Sequence, residues 1–277
     1  MSETTTRHGS ALSVARFEMS KLAAQKRSWI TLVVAAVVPF IVVPVLQRQA
    51  RPPKDTLFGR FIHDSGWSIP LLMLGFAGQW VFPVLASIVA GDIYASEDQH
   101  GSWKTILTRS VSRTQVFVGK ALVAIVFSVL AYVVLATSVI VASVLIVGNK
   151  PLVGLTGQWI SPHDAARLVI EGWAAVGAPV IAFTCVAMLF SVVSRNIAVG
   201  IAAPVGLALV MQLLGSVGGV DLVRPLLLTT PFENWHGLLT LPSFSGPLHF
   251  GFAVCAVWSI VSISIAYVVF RRRDYLG

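Results

Sequence analysis

Residues 119–147, GKALVAIVFSVLAYVVLATSVIVASVLIV, decide the fold class of this chain. The run is continuously apolar apart from scattered hydroxyl groups, and its one charged residue, Lys120, lies at its start. An α-helix needs about 20 apolar residues to cross a hydrocarbon core of roughly 30 Å. Strands of membrane barrels instead alternate apolar and polar residues over roughly ten positions. The stretch therefore predicts a membrane-spanning helix.

Similar runs recur along the chain and predict an all-α integral membrane protein with six transmembrane helices. The predicted spans are Trp29–Leu46, Ser68–Ala90, Gly119–Val147, Ala165–Val193, Ile197–Val217 and Phe250–Phe270. The 277 residues are 56% hydrophobic and only 12% charged, which excludes an ordinary soluble domain and a disordered chain. We expect residues 1–28 to be a cytoplasmic N-terminal segment with an amphipathic helix, and residues 29–277 to be a single transmembrane domain.

The formal net charge of +8 is explained by topology rather than by a nucleic-acid partner. Lys and Arg residues cluster beside alternate ends of the predicted spans, as in Arg271-Arg272-Arg273 after the last one. Cytoplasmic loops carry an excess of such residues. The pattern predicts that both termini are cytoplasmic. The bias is weakened by four basic residues between the first two spans: Arg48, Arg51, Lys54 and Arg60.

The segment before the first span has helical periodicity. Its predicted apolar face consists of Leu12, Ala15, Met19 and Leu22, which recur at helical spacing. The charged residues Arg16, Glu18, Lys21 and Lys26 are predicted to project from other faces. This pattern favours an amphipathic elbow helix that lies in the membrane interface. An ordinary basic lead to the first span is the alternative interpretation.

Between the second and third spans, a short apolar stripe lies within a polar segment that is expected to be cytoplasmic. Trp103, Ile106 and Leu107 are spaced at i, i+3 and i+4, so they share one face of a helix. No other part of the chain is an obvious cover for this face. We therefore expect the surface of a partner protein to cover it.

The third span is preceded by a helix-start signal. Ser112-Arg113-Thr114-Gln115 has the capping-box pattern, in which the serine side chain accepts from the Gln115 amide and the glutamine reaches back to the Ser112 amide. The helix is then expected to continue into the third span.

The segment between the fifth and sixth spans contains apolar runs that are too short to cross a membrane. Thr230-Pro231-Phe232-Glu233 combines an N-cap residue, proline at the first helical position and glutamate at the third, which predicts a short external helix. Its apolar face would consist of Phe232, Trp235, Leu238 and Leu239. The alternatives are a re-entrant element and a surface loop with an interfacial tryptophan.

Ionisable residues inside a membrane are costly and often functional, but the predicted spans contain almost none. Gln79 and Gln212 are polar exceptions and hence candidate pathway residues, although hydrogen bonds between helices would also explain them. Lys120 and Glu171 are expected at the interfaces. The sequence lacks the GxxxxGK[ST] phosphate loop, a GxSxG nucleophile motif and Cys/His spacing for a metal. We therefore predict a chain that is not an enzyme and that binds no cofactor or metal.

An ordered set of motifs resembles that of the permease subunits of type-2 ABC transporters, which include many bacterial exporters. The set consists of Glu97, Gly101, Trp103-Lys104-Thr105-Ile106-Leu107, Val111-Ser112-Arg113 and Gly119-Lys120. Ser110 departs from the pattern because proline is common at that position. The resemblance extends over essentially the whole chain.

The resemblance implies that the segment from Glu97 to Leu107 is a coupling helix that docks on a separate ATP-binding cassette ATPase. The implied docking residues are Glu97, Gly101, Trp103, Lys104, Ile106 and Leu107, and the implied coupling turn is Ser112, Arg113 and Gln115. ATP and Mg²⁺ would then be bound by the ATPase subunit. The permease would pair with itself or with a related chain in a bacterial cell membrane.

The implied function is export of a hydrophobic or amphipathic substrate along a pathway between two permease chains, which membrane lipid surrounds. An alternative from another class is a channel or membrane-assembly subunit that is not driven by ATP. A third alternative, an intramembrane enzyme, lacks support from catalytic motifs.

Overall fold

The structure, a computed structural model, describes residues 10–49, 56–103, 111–219 and 221–273, without the side chain of Gln79. Its helices are α1 (Ala11–Ala23), α2 (Lys26–Arg48), α3 (Ser68–Gln79), α4 (Val81–Ala90), α5 (Ala95–Gln99), α6 (Arg113–Val147), α7 (Pro162–Ser194), α8 (Ile197–Ser216) and α9 (Gly246–Arg272). Five of the described helices, α2, α6, α7, α8 and α9, are long and apolar enough to cross a membrane, and α3 with α4 would make a sixth span. An all-α, multi-pass architecture is thus confirmed in its main features.

Local sequence signals fix the ends of several helices. The capping box before α6 is confirmed, because the Ser112 Oγ accepts from the Gln115 amide at 3.2 Å and the Gln115 Oε1 accepts from the Ser112 amide at 2.9 Å. Between α7 and α8, Arg195 adopts a left-handed conformation with φ of 56°. The Asn196 side chain then caps α8 by accepting from the Val199 amide at 3.2 Å. This tight turn makes α7 and α8 antiparallel neighbours.

Helix α7 is the central helix of the described structure. In its most apolar 18-residue stretch, 67% of the residues are buried inside the protein, against 17–33% in the corresponding stretches of the other long helices. It packs against α4, α6, α8 and α9. The Tyr132 hydroxyl on α6 donates to the Trp173 carbonyl on α7 at 2.5 Å. The Phe82 ring on α4 lies edge-on to the rings of Tyr132 and Trp173. The remaining long helices therefore surround α7 and expose apolar surface outward.

The second predicted span, Ser68–Ala90, is not one straight helix. It breaks at Trp80 into α3 and α4, whose axes are bent by 60°. Pro83 follows the break and has no amide hydrogen, so it cannot donate to the carbonyl of residue 79. The predicted span is therefore built from two helices, and α3 with α4 can still form one bent span.

The connection between α6 and α7 contains structure that the all-α prediction did not include. Two short antiparallel strands, β1 (Leu152–Val153) and β2 (Trp159–Ile160), form a hairpin. The Leu155 amide and the Gln158 side chain both donate to the Leu239 carbonyl, at 3.1 and 3.0 Å. The hairpin is thereby attached to the segment that precedes α9.

The segment between α8 and α9 forms 3₁₀ helices, at Arg224–Leu226, Thr230–Phe232 and Asn234–Leu239, rather than the predicted capped α-helix. The Thr230 hydroxyl donates to the Arg224 carbonyl at 2.5 Å instead of capping a helix. Trp235 is only 1% exposed and stacks on Phe58 at 6.1 Å. The interpretation of Trp235 as an interfacial residue was therefore wrong. The re-entrant placement stays a prediction.

Two glycines allow α4 and α8 to meet at the level where α4 ends. A Cβ atom built on Gly200 would lie 2.1 Å from the Gly91 carbonyl oxygen, and one built on Gly91 would lie 2.4 Å from the Gly200 oxygen. Either methyl group would clash with the opposing backbone, so only glycine permits this approach.

We expect Gly200→Ala to lower the free energy of unfolding by about 1–3 kcal/mol, the usual cost of overpacking. Gly206→Ala, on the same helix, is the matched control because a Cβ there meets nothing within 4 Å. The control is expected to be neutral or slightly stabilising. Unfolding of the purified variants in detergent micelles measures both effects. Equal stability of the two variants would contradict the close approach.

Candidate functional site

The polar segment 91–103 folds into a short helix that is held against the ends of the long helices. The Ser191 hydroxyl on α7 accepts from the amides of Tyr94 and Ala95, at 3.2 and 3.0 Å, and so caps the start of α5. Gly101 has a φ of +62°, a conformation that favours glycine, and it reverses the chain after α5. This turn brings Ser102 back beside Glu97, to which its hydroxyl donates.

A buried ionic cluster, which we name the charged joint, connects this segment to α1 and α6. It consists of Glu18 and Lys21 on α1, Glu97 on α5 and Lys120 on α6. The Lys120 Nζ lies 2.8 Å from the Glu18 Oε1 and 2.9 Å from the Glu97 Oε1, and Lys21 forms an ion pair with Glu97. The Lys120 side chain is 0% exposed. Two cations and two anions thus balance in the joint.

The charge of Glu97 is maintained by its neighbours. Burial by itself would raise the pKa of this carboxyl group, but the charge of Lys120 and hydrogen bonds from Lys21 and Ser102 together lower the pKa to about 2. Glu97 is therefore ionised at neutral pH and holds both lysines. The Lys120 ammonium group also donates a hydrogen bond to the Ile93 carbonyl at 3.2 Å.

A glycine makes the joint geometrically possible. A Cβ atom on Gly119 would lie 2.8 Å from the Val14 side chain and 3.0 Å from the Ala11 carbonyl oxygen. Helix α1 therefore packs directly on the backbone of α6 beside Lys120. This approach brings the carboxylate of Glu18 within reach of the buried lysine.

Further ion pairs attach the same segment to other elements. Asp92 forms an ion pair with Arg27 of α2. Asp98 accepts from the Arg195 Nε at 3.0 Å, in the turn between α7 and α8, and its other oxygen lies 3.7 Å from Arg273, just after α9. Charges on segment 91–103 therefore connect it to α1, α2, α6, the α7–α8 turn and the end of α9.

An aromatic cluster supplements the ion pairs; it consists of Tyr94, Trp103, Phe117, Tyr267 and Phe270. Trp103 lies edge-on to Phe270 at 5.2 Å and Tyr94 stacks on Phe117 at 5.5 Å. The Tyr94 hydroxyl also donates to the Phe117 carbonyl at 2.8 Å. The cluster packs the two ends of segment 91–103 onto α6 and α9.

The predicted coupling turn has an additional contact that its sequence did not indicate. The Arg113 guanidinium donates to the carbonyls of Arg271 and Arg273, at 3.0 and 2.6 Å. These carbonyls lie at the end of α9, where backbone acceptors lack helical partners. The start of α6 is therefore bonded to the end of α9.

Two sequence-based expectations for this region were wrong. Glu18 faces the protein rather than away from it, because Lys120 attracts it. Lys120 is fully buried among its neighbours, and its predicted position at the membrane interface stays a prediction. Trp103 is covered by its own chain, at Phe270, and is 4% exposed. Periodicity of apolar residues misses such contacts, since buried ion pairs do not follow it.

The remaining predicted residues lie apart from the joint or outside the described residues. Lys104, Ile106 and Leu107 are outside them, as is the side chain of Gln79. Gln212 lines a cavity of about 290 Å³ with Arg224, Thr229 and Glu233, beyond the far end of α8. Within the described ranges, no group of three or more His, Cys, Asp or Glu residues could hold a metal ion.

The long apolar helices and the anchored segment at their ends define a multi-pass membrane protein. The sequence profile of the family described as ABC-2 family transporter protein matches residues 15–215, which extend from α1 to the end of α8. Because the match covers well over half of the chain, the chain belongs to this family and is the permease, or membrane component, of an ABC transporter. A comparison with curated proteins found none that matches it.

We expect Lys120→Met to lower the free energy of unfolding by about 3–5 kcal/mol, because it leaves two buried carboxylates without their shared cation. The matched control is Lys150→Met, which changes an exposed lysine near β1. In a Glu97→Gln background the same change should cost at least about 1 kcal/mol less, since the two groups interact directly. Equilibrium unfolding in mixed micelles measures the cycle. Additive effects would contradict the joint.

The depressed pKa of Glu97 also predicts a pH dependence. A carboxylate with a lowered pKa in the folded state stabilises the protein above its unfolded pKa, near 4.5, and this contribution is lost as the pH falls towards 2. We therefore expect the stability difference between the native chain and Glu97→Gln to be constant from pH 7 to 5 and to shrink below that. Thermal unfolding at a series of pH values measures it. A difference that is unchanged at pH 3 would refute the assignment.

Proposed function

We propose that this permease exports a hydrophobic or amphipathic substrate and is driven by a separate ATPase subunit that binds ATP and Mg²⁺. Two permease chains, identical or related, would enclose the pathway. We further propose a bacterial cell membrane as the location, with both termini and the charged joint on the cytoplasmic side. Membership of the ABC-2 family and the anchored segment 91–103 support this proposal.

The observation that carries the proposal is the attachment of segment 91–103 to several long helices at once. A force applied to this segment by an ATPase would act through Lys120 and the aromatic cluster on α6, and through Asp98 on the α7–α8 turn and the end of α9. Buried ion pairs resist separation, since breaking one leaves an uncompensated charge. The segment therefore has the connections that a coupling element needs.

Within the proposed coupling segment, the residues divide into two roles. Glu97 and Trp103 are buried in their own chain, so we assign them to positioning rather than to direct contact. Gly101 supplies the turn between them. Docking would then fall to Lys104, Ile106 and Leu107, of which the apolar Ile106 and Leu107 share one helical face in the sequence.

At the far end of α8, Gln212 is proposed as a polar group of the substrate pathway. It lines a cavity together with charged and hydroxyl side chains. Such a mixed lining suits the polar part of an amphipathic substrate. Gln79 stays a candidate from the sequence alone.

We expect Leu107→Asp to abolish co-purification of the ATPase subunit, because a charge on the docking face would have to be desolvated. Leu222→Asp is the matched control, since Leu222 is 89% exposed beyond the far end of α8. The measurement is co-expression with the ATP-binding subunit encoded nearby, affinity purification and the mass of the intact complex. Retention of the ATPase by Leu107→Asp would contradict the docking role. Ion conductance without ATP would instead support a channel.

A further inference from the structure

Two cavities follow each other along the outer side of α2, beginning at the charged joint. The first, which we name the basic cavity, has a volume of about 550 Å³ and is lined by three cations and two carboxylates among others: Lys21, Lys26, Arg27, Asp92 and Glu97. The second, the apolar groove, has a volume of about 500 Å³ and lies between α2 and α4. Lys26 and Arg27 line the first cavity, and Ile30 and Thr31, one helical turn later, line the second.

The basic cavity has an uncompensated positive charge. Lys21 is paired with Glu97, and Arg27 is paired with Asp92. Lys26 is exposed, and within the described part of the chain its ammonium group has no ion pair or hydrogen bond. An anionic group at this cavity would therefore meet a cation that no side chain neutralises.

The apolar groove has the opposite character. It is lined by aliphatic side chains of α2 and α4, with Trp80 where α4 begins and Leu135 of α6 at its base. Val34 and Val84 are 51% and 40% exposed from the two sides of this groove. A hydrocarbon chain would cover mainly aliphatic surface, and the Thr31 hydroxyl in the groove already donates to the Arg27 carbonyl at 2.9 Å.

The level of the boundary between the two cavities corresponds to a membrane interface. Trp29 is 58% exposed, and its indole nitrogen donates to the Ala23 carbonyl at 2.8 Å, between α1 and α2. Tryptophans with one polar contact and an apolar ring are typical of the headgroup region. With Trp29 in the headgroup region, the basic cavity would lie at headgroup level and the groove at acyl-chain level.

We propose that the basic cavity and the apolar groove together bind one anionic phospholipid from the leaflet nearest the charged joint. Its phosphate lies beside Lys26, and one acyl chain lies between α2 and α4. Lys21 and Arg27 are already paired with carboxylates, so the cavity keeps the positive charge of Lys26. This charge favours an anionic lipid over a zwitterionic one. The proposal requires neither an ATPase nor a substrate, although Glu97 and Ser102 of segment 91–103 also line the basic cavity.

The test is native mass spectrometry of the purified full chain in detergent, titrated separately with phosphatidylglycerol and phosphatidylcholine of identical acyl chains. The native chain should retain one phosphatidylglycerol in preference to phosphatidylcholine. Lys26→Gln should weaken phosphatidylglycerol binding about fivefold, the effect of one basic residue near a membrane surface, and remove the preference. Arg167→Gln, which changes an exposed arginine on α7, is the control and should leave the preference intact.

A second pair of variants tests the acyl-chain half of the site. Val84→Trp should fill the groove and weaken binding of both lipids, whereas Val210→Trp, at a position 53% exposed on α8, should not. Circular dichroism melting checks that each variant is folded, and Val34→Trp replaces Val84→Trp if that variant unfolds. Equal retention of the two lipids, or no effect of Lys26→Gln, overturns the proposal. Competition by inorganic phosphate with no effect of the groove variants would identify a free-phosphate site and overturn it as well.

Discussion

The buried positive charge of Lys120 is the constraint on which the arrangement at this end of the molecule depends. An ammonium group without water needs anionic partners at hydrogen-bond distance, because an isolated buried charge is strongly unfavourable. Glu18 and Glu97 supply them, and each comes from an element other than α6. The requirement to neutralise one side chain therefore determines where α1 and α5 pack. Gly119 is the steric counterpart, since a larger residue there would hold α1 away from the lysine.

Much of the fold was predictable because crossing a membrane requires long apolar runs and satisfied backbone groups. The long helices begin and end within several residues of the predicted bounds, and the Ser112–Gln115 capping box forms as its sequence indicates. These features depend on local composition and short-range hydrogen bonds. The 3₁₀ turns near Trp235 escaped prediction, since they depend on packing between distant segments. The bend at Trp80 has a local contribution from Pro83 that the apolar composition does not register.

The candidate site was predictable only in part, and for a physical reason. Its segment was identifiable as polar residues between two spans, and Gly101 occupies a turn that requires a positive φ. The orientation of Glu18 and the burial of Lys120 and Trp103 were not, because they result from contacts between residues far apart in sequence. A prediction from apolar periodicity assumes that charged residues face water. Paired charges in a protein interior violate that assumption, and the charged joint consists of such pairs.

In the proposed transport cycle, α4, which precedes segment 91–103, and α6, which leaves the charged joint, differ in what they can transmit. Helix α4 is short and begins at the 60° bend beside Trp80, so a displacement at its opposite end can be absorbed there. Helix α6 is continuous over 35 residues from its capped start to Val147, and it contains no proline. Its far end is bonded to the loop before α3, where the Ser143 hydroxyl donates to the Gly66 carbonyl at 2.5 Å. A continuous helix attached at both ends would move as a unit, so in this proposal α6 rather than α4 would carry motion of the joint across the membrane.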